Sequence, residues 1–369
     1  EKRYEQGLGG RSVLQHRSDW STGAWGQLSA GVEWQIGKSA QRNFRNDRGK
    51  PTSTLALEDL YSYNLSTFAQ YDLTLPYTIN LSGGLSYNFL KYNYVNYFPT
   101  PFALASKSME GILMPRVSAN KVFGEDWSVF ATLSQGFSPP TLLEVRPSAG
   151  GFREDLKPES GLNREVGLRY IIANFTSELS FYRFGLNETI VRRSEQGGAE
   201  YFVNAGKTLQ QGAEWQLRYT PFANGRWIKD LSFWKSGTWT AYTYSRYQQA
   251  NSDFSGKKIP GLPTLLLSGG IDLSLPYGLG IFVTTQHSGK VYLNDANTQE
   301  APEFLQLQSR IVWDKKWGKH LSSQISASAE KVNAPIYSLG YDLNAFGNRF
   351  FNAAPRENFW LGVKLGYIW

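Results

Sequence analysis

The sequence predicts an all-β chain of the transmembrane antiparallel β-barrel class. Three observations carry that expectation. Apolar and polar residues alternate with a period of two along most of the chain, the alternating runs are long, and the connections between them are short and long by turns.

Taken in order, the pattern begins near residues 9–17. In residues 27–36, Leu28, Ala30, Val32, Trp34 and Ile36 share one face, and Gln27, Ser29, Gly31, Glu33 and Gln35 share the other. Residues 61–75 and 175–193 each read as one long strand, beyond the about 5 to 6 residues usual in a soluble sandwich. They also exceed the about 9 to 11 residues with which a tilted strand crosses a bilayer. Residues 79–87 set Ile79, Leu81, Leu85 and Tyr87 against Asn80, Ser82, Gly84 and Ser86, and the sorting recurs in 165–170, 213–219, 265–275 and 321–330. The final stretch, FWLGVKLGYIW (359–369), puts Phe359, Leu361, Val363, Leu365, Tyr367 and Trp369 on one face and Gly362, Lys364 and Gly366 on the other. The first set is expected to meet lipid, the second the barrel interior.

Short turns are expected at 76–77, 124–126, 173–174, 276–278 and 315–319. Long polar loops are expected at about 42–57, 95–109, 138–161, 248–259, 292–302 and 333–355. Aromatics gather at strand ends, as in Tyr87, Tyr92, Tyr94, Tyr97 and Phe98, where an interfacial girdle would place them. The hairpins amount to about 15 strands. Because bacterial single-chain barrels use an even number, this chain by itself is not expected to close.

Composition agrees with the fold class. The 369 residues are 41% hydrophobic and 15% aromatic, with 36 glycines, no cysteine and a formal net charge of +7. No apolar run reaches the about 18 residues of a membrane-spanning helix. The basic residues are scattered rather than gathered in a stripe, which argues against a nucleic-acid partner. His16, His287 and His320 lie far apart, with neither metal-binding spacing nor thiolates to help, and no nucleophile elbow, P-loop or dinucleotide fingerprint occurs. The chain is therefore expected not to be an enzyme, and to carry no cofactor or metal.

Five motifs occur in a fixed order: SQGFSPPTLLEV (134–145), LKPESGLNREVGLRY (156–170), NAGKTLQQGAEW (204–215), IPGLPTLLLSGGI (259–271) and FNAAPRENFWLGVKLGYIW (351–369). Each has a local physical reading. Gly136 with Pro139 and Pro140 ends a strand, Pro158 ends the loop that follows, and Gly206 and Gly212 mark a bend or a close backbone approach. Together the motifs resemble the C-terminal barrel half of TonB-dependent outer-membrane receptors, in particular the ferric-siderophore receptors.

The resemblance covers nearly the whole chain and implies that residues 1–369 are the C-terminal portion of a 22-stranded barrel with a plugged lumen. The plug domain, the segment that contacts TonB and about seven strands would lie outside it. The terminal aromatics Tyr367 and Trp369 would serve as the signal for the barrel assembly machinery, although the family usually ends on phenylalanine. The implied function is active import of a ferric siderophore with energy from the TonB–ExbB–ExbD complex, in contact with outer-membrane lipid and lipopolysaccharide. A same-family importer of cobalamin, haem or oligosaccharide, and a passive porin, stand as alternatives. Tyrosine and arginine in the outer loops suit anionic, aromatic ligands. The expected contacts are Tyr92, Tyr94, Tyr97, Arg146, Arg153, Tyr201 and His287.

Overall fold

The computed structural model describes residues 2–20, 23–147, 151–194, 199–204, 206–249, 252–334 and 337–367. Among them fifteen strands make one antiparallel sheet whose spatial order follows the chain. They are β1 (Lys2–Asp19), β2 (Trp25–Asp47), β3 (Lys50–Leu75), β4 (Ile79–Phe98), β5 (Ala103–Phe123), β6 (Trp127–Ser138), β7 (Glu159–Ile172) and β8 (Phe175–Asn187). There follow β9 (Lys207–Ala223), β10 (Asp230–Arg246), β11 (Leu265–Ser274), β12 (Leu279–Ser288), β13 (Phe304–Trp317), β14 (Leu321–Asn333) and β15 (Glu357–Tyr367). Among the described residues four two-stranded hairpins stand apart from this sheet, within the connections β8–β9, β10–β11, β12–β13 and β14–β15. The chain divides into two compact units. One comprises Glu1–Lys121, Ala131–Arg164 and Phe184–Lys207; the other comprises Val122–Phe130, Glu165–Arg183 and Thr208–Trp369.

In the first unit, register sorts the strands as the alternation requires. Along β4, Ile79, Leu81, Leu85, Tyr87 and Phe89 share the apolar face, with Leu73, Ala69, Thr67 and Leu65 of β3 directly opposite the last four. Asn80, Ser82, Gly84, Ser86 and Asn88 share the other face. The apolar run spans about 11 residues, the length that crosses a bilayer, and the next outward position is Lys91.

Two expected loops prove to be strand. The pairing of β2 with β3 continues to Asp47 opposite Lys50, so 42–57 is a ladder closed by a two-residue turn. Arg48 and Gly49 both have positive φ there, 48° and 86°, the conformation whose twist matches the flanking strands. Likewise β4 runs to Phe98 and β5 starts at Ala103, leaving 99–102 as the connection. Apolar alternation lapses above the membrane band because neither face meets lipid, while backbone pairing persists because each N–H and C=O still needs a partner. The first strand starts at Lys2 for the same reason. The expected single strand 175–193 is broken after Asn187, where Glu188 takes φ 57°.

The second unit obeys the same rule. Ile311, Trp313, Lys315 and Trp317 of β13 lie opposite Ala327, Ile325, Ser323 and Leu321 of β14, which lie opposite Leu361, Val363, Leu365 and Tyr367 of β15. On β15 the expected lipid face is bare: Leu361 is 88% exposed and Val363 73%. Gly237 of β10 lets an indole lie flat on its strand, since a Cβ there would stand 2.1 Å from the Trp215 ring.

Candidate ligand-binding site

In the first unit the connection after β6 folds back onto the polar side of β3–β5 instead of standing free. Its sequence SPPTLLEV explains the fold-back. Two prolines end the strand, and Thr141 then caps a single helical turn, α1 (Leu142–Val145), through a reciprocal pair. The Thr141 N–H donates to Glu144 Oε2 at 2.6 Å and the Glu144 N–H donates to Thr141 Oγ1 at 3.3 Å. This turn delivers Val145, wholly buried, into a cluster with Leu60, Leu90, Tyr92, Tyr94 and Met109, against which Ala105, Leu142 and Phe152 pack.

Polar pins fix the seat. Tyr92 donates its hydroxyl to the Pro140 carbonyl at 2.5 Å. Glu58 Oε1 accepts from the Tyr94 hydroxyl at 2.6 Å, and Glu58 Oε2 accepts from Arg146 Nε at 2.6 Å and from a second Arg146 nitrogen. Both partners of that ion pair are buried, the side chains being 9% and 8% exposed. Phe152 stacks on Tyr94 with ring centroids 5.2 Å apart, and Lys107 donates to the Glu154 carbonyl. Burial, reinforced by the Glu144 charge, pushes the Tyr92 phenol up to about 12. Burial and the hydrogen bond to Glu58 raise the Tyr94 phenol as well.

Asp59, next in sequence to Glu58, faces the opposite side of the sheet. Burial pushes its carboxyl up, but the hydrogen bonds from Lys38 and Arg42, at 2.9 and 2.7 Å, and their positive charges outweigh that and hold it below the usual carboxylate range. Downstream, Asn204 of the NAG motif ties three segments together. Its Nδ2 donates to the carbonyls of Lys157 and Glu188 at 3.0 and 2.6 Å, and its Oδ1 accepts from the Lys157 N–H at 2.9 Å.

Of the residues expected from sequence, the structure thus brings Tyr92, Tyr94 and Arg146 together, with their polar atoms engaged inside the chain. Arg153 lies beside them through its backbone N–H to the Val145 carbonyl, and its guanidinium forks onto Asp155 at 2.9 and 2.7 Å. Tyr97 is 45% exposed and touches Phe102. Tyr201 sits opposite Arg193 where Glu200–Asn204 pairs with Ile190–Ser194. His287 is not with them, because its register opposite Leu267 and Leu305 puts it on the apolar face of β12. Tyr367 stacks on His320 at 5.8 Å; Trp369 lies outside the described residues. Glu58 and Phe152 carried no sequence expectation, and Asn204, the first residue of the NAGKTLQQGAEW motif, carried none of this bridging role. The adjacent carboxylates in LALEDLY were a usable signal, since alternation sends them to opposite faces and each then needs its own cation. Among the described residues no group of three His, Asp or Glu is placed to hold a metal ion.

Comparison with known proteins bears on the fold and the lineage. A family model described as TonB dependent receptor-like, beta-barrel, matches residues 2–333. The pesticin receptor of Yersinia enterocolitica is 27% identical over 172 residues, 45% of this chain and 25% of that protein. The iron-regulated outer membrane virulence protein of Vibrio cholerae is 27% identical over 266 residues, 65% and 37% of the two chains. The matched stretch is thus between a quarter and two fifths of those relatives' length. Among solved structures, the unliganded ferric citrate transporter FecA superposes with a TM-score of 0.77 at 13% identity, over 99% of this chain and 55% of that one. The ferric-catecholate import receptor Fiu of Escherichia coli gives 0.72 at 12%, again over 99% and 55%.

Proposed function

The chain belongs to the TonB-dependent receptor β-barrel family of the bacterial outer membrane, and from that premise we propose that it forms the C-terminal part of an importer of a ferric siderophore. The observation that carries this reading is the family match over 2–333; the names of the iron-linked relatives support the choice of substrate class. In the proposed protein a plug domain encoded upstream fills the barrel and contacts TonB, which draws on ExbB and ExbD.

The chemistry of the outer connections suits such a ligand. Ferric siderophores are commonly anionic and rich in planar groups, which arginine and tyrosine bind by charge-assisted hydrogen bonds and stacking. Tyr97, Arg153 and Tyr201 keep accessible surface and are assigned here as contacts. Tyr92, Tyr94 and Arg146 form the floor that fixes where Arg153 stands. His287, on the apolar face, has no part in this site.

Growth of a deletion strain under iron limitation, supplied with single defined siderophores, tests the proposal. Loss of growth on one siderophore, restored by the intact gene, is expected. Undiminished growth on every siderophore, with loss of cobalamin or glycan use instead, would overturn it.

A further inference from the structure

The end of β13 and the turn that follows it carry the sequence WDKKWGKH (313–320); 313–317 are strand, so the turn expected at 315–319 lies at 318–320, and the strand residues are sorted by face. Register places Trp313, Lys315 and Trp317 in one column on the apolar side, continuous with Ile311 above and with Leu321, Ile325, Val363 and Leu365 on the two neighbouring strands. A lysine at the edge of such a face calls for an anion. Its ammonium stands over the Trp317 ring at 4.0 Å from the centroid and over the Trp313 ring at 5.6 Å. Both indoles are locked in place, since Trp317 Nε1 donates to Ser323 Oγ at 2.8 Å and Trp313 Nε1 donates to the Tyr277 carbonyl at 3.1 Å. The ammonium is thereby held against two π faces that leave its outward N–H donors pointed at whatever covers the strand.

In a barrel of this family short turns lie on the periplasmic side, so this column ends at the headgroups of the periplasmic leaflet. Three lysines, Lys315, Lys316 and Lys319, stand in this stretch against one carboxylate. That carboxylate, Asp314, faces the other side of the sheet, where it accepts from Gln324 Nε2 at 2.8 Å. The local field is positive where the apolar wall ends, which suits a lipid bearing net negative charge and works against a headgroup that brings its own ammonium. We propose that Trp313, Lys315 and Trp317 form a binding site for the phosphate of an anionic glycerophospholipid, whose acyl chains lie along Leu321, Ile325, Val363 and Leu365. This assignment rests on the membrane placement of the strands and is independent of the imported substrate.

Native mass spectrometry of the detergent-purified receptor carrying this chain, titrated with phosphatidylglycerol and separately with phosphatidylcholine, tests it. Lys315→Met is expected to weaken phosphatidylglycerol retention about fivefold, the effect of one surface cation on an anionic lipid. Lys315→Arg should retain it, Lys316→Met on the opposite face should leave it unchanged, and phosphatidylcholine retention should not respond. Heat-modifiable gel mobility verifies that each variant is folded. If Lys315→Met does not fold, Trp317→Leu carries the test, with a loss of phosphatidylglycerol preference expected. Unchanged phosphatidylglycerol retention in the folded variant used, an equal loss in Lys316→Met, or an equal loss of phosphatidylcholine would overturn the site.

Discussion

Glu58→Gln tests how the outer connection of residues 139–156 is held in place. The substitution keeps shape and leaves an oxygen for the Tyr94 hydroxyl, but it removes the negative charge opposite the Arg146 guanidinium, whose side chain is only 9% exposed. Stranding one member of a buried ion pair costs about 3–5 kcal/mol. That cost falls on the docked segment rather than on the strand ladder, because the segment is seated by one small cluster and a few polar pins. At about 1.4 kcal/mol per tenfold, the open population of residues 142–147 and 151–156 should rise by roughly a hundredfold or more. Hydrogen exchange followed by mass spectrometry reads this directly. The amides of Val145, Arg146 and Arg153, each bonded to a backbone carbonyl, should lose protection while the β13–β14 ladder keeps its own. Glu58→Gln combined with Arg146→Met removes the stranded charge and should recover most of the protection. Unchanged exchange in 142–147 and 151–156 in the single variant, or a double variant as loose as the single, would refute the pin.

Three further outcomes are expected. Because the Tyr92 phenol is raised in the fold, its contribution is intact below the ordinary tyrosine range and is lost as pH climbs through about 12; a spectrophotometric titration in which Tyr92→Phe removes no late-titrating phenol would contradict this. Gly278→Ala should destabilise the turn before β12 by at least about 1–3 kcal/mol, since φ is 81° there and a Cβ would stand 1.9 Å from the Asp314 carbonyl oxygen; a lowered temperature for the heat-modifiable gel shift measures it. Asp295→Ala should loosen the β12–β13 and β14–β15 connections together, because the Asp295 carboxylate accepts both from the buried Tyr244 hydroxyl of β10 at 2.8 Å and from Asn344 Nδ2 at 3.3 Å. Limited proteolysis confined to residues 291–301 would speak against that coupling.

Period-two alternation determined the fold class, the face each strand residue takes and the fifteen-strand count, because one polar and one apolar solvent act on every second side chain and leave a local trace. The sidedness of 359–367 and the short turns at 124–126, 173–174 and 276–278 were legible for that reason, whereas the turn expected at 315–319 proved to be 318–320. The same logic misled above the membrane band, where 42–57 and 95–109 looked like loops although their ladders continue: backbone pairing persists without any alternation to announce it. The candidate site was legible only in its residue types. Tyr92, Tyr94 and Arg146 meet through Glu58, which lies 36 positions from Tyr94 and 88 from Arg146, and no local pattern encodes which distant carboxylate neutralises a buried guanidinium. Only the tertiary structure could decide that these residues hold the loop while Arg153 beside them, its guanidinium forked onto Asp155, stays partly exposed, because desolvation and pairing belong to the packed chain.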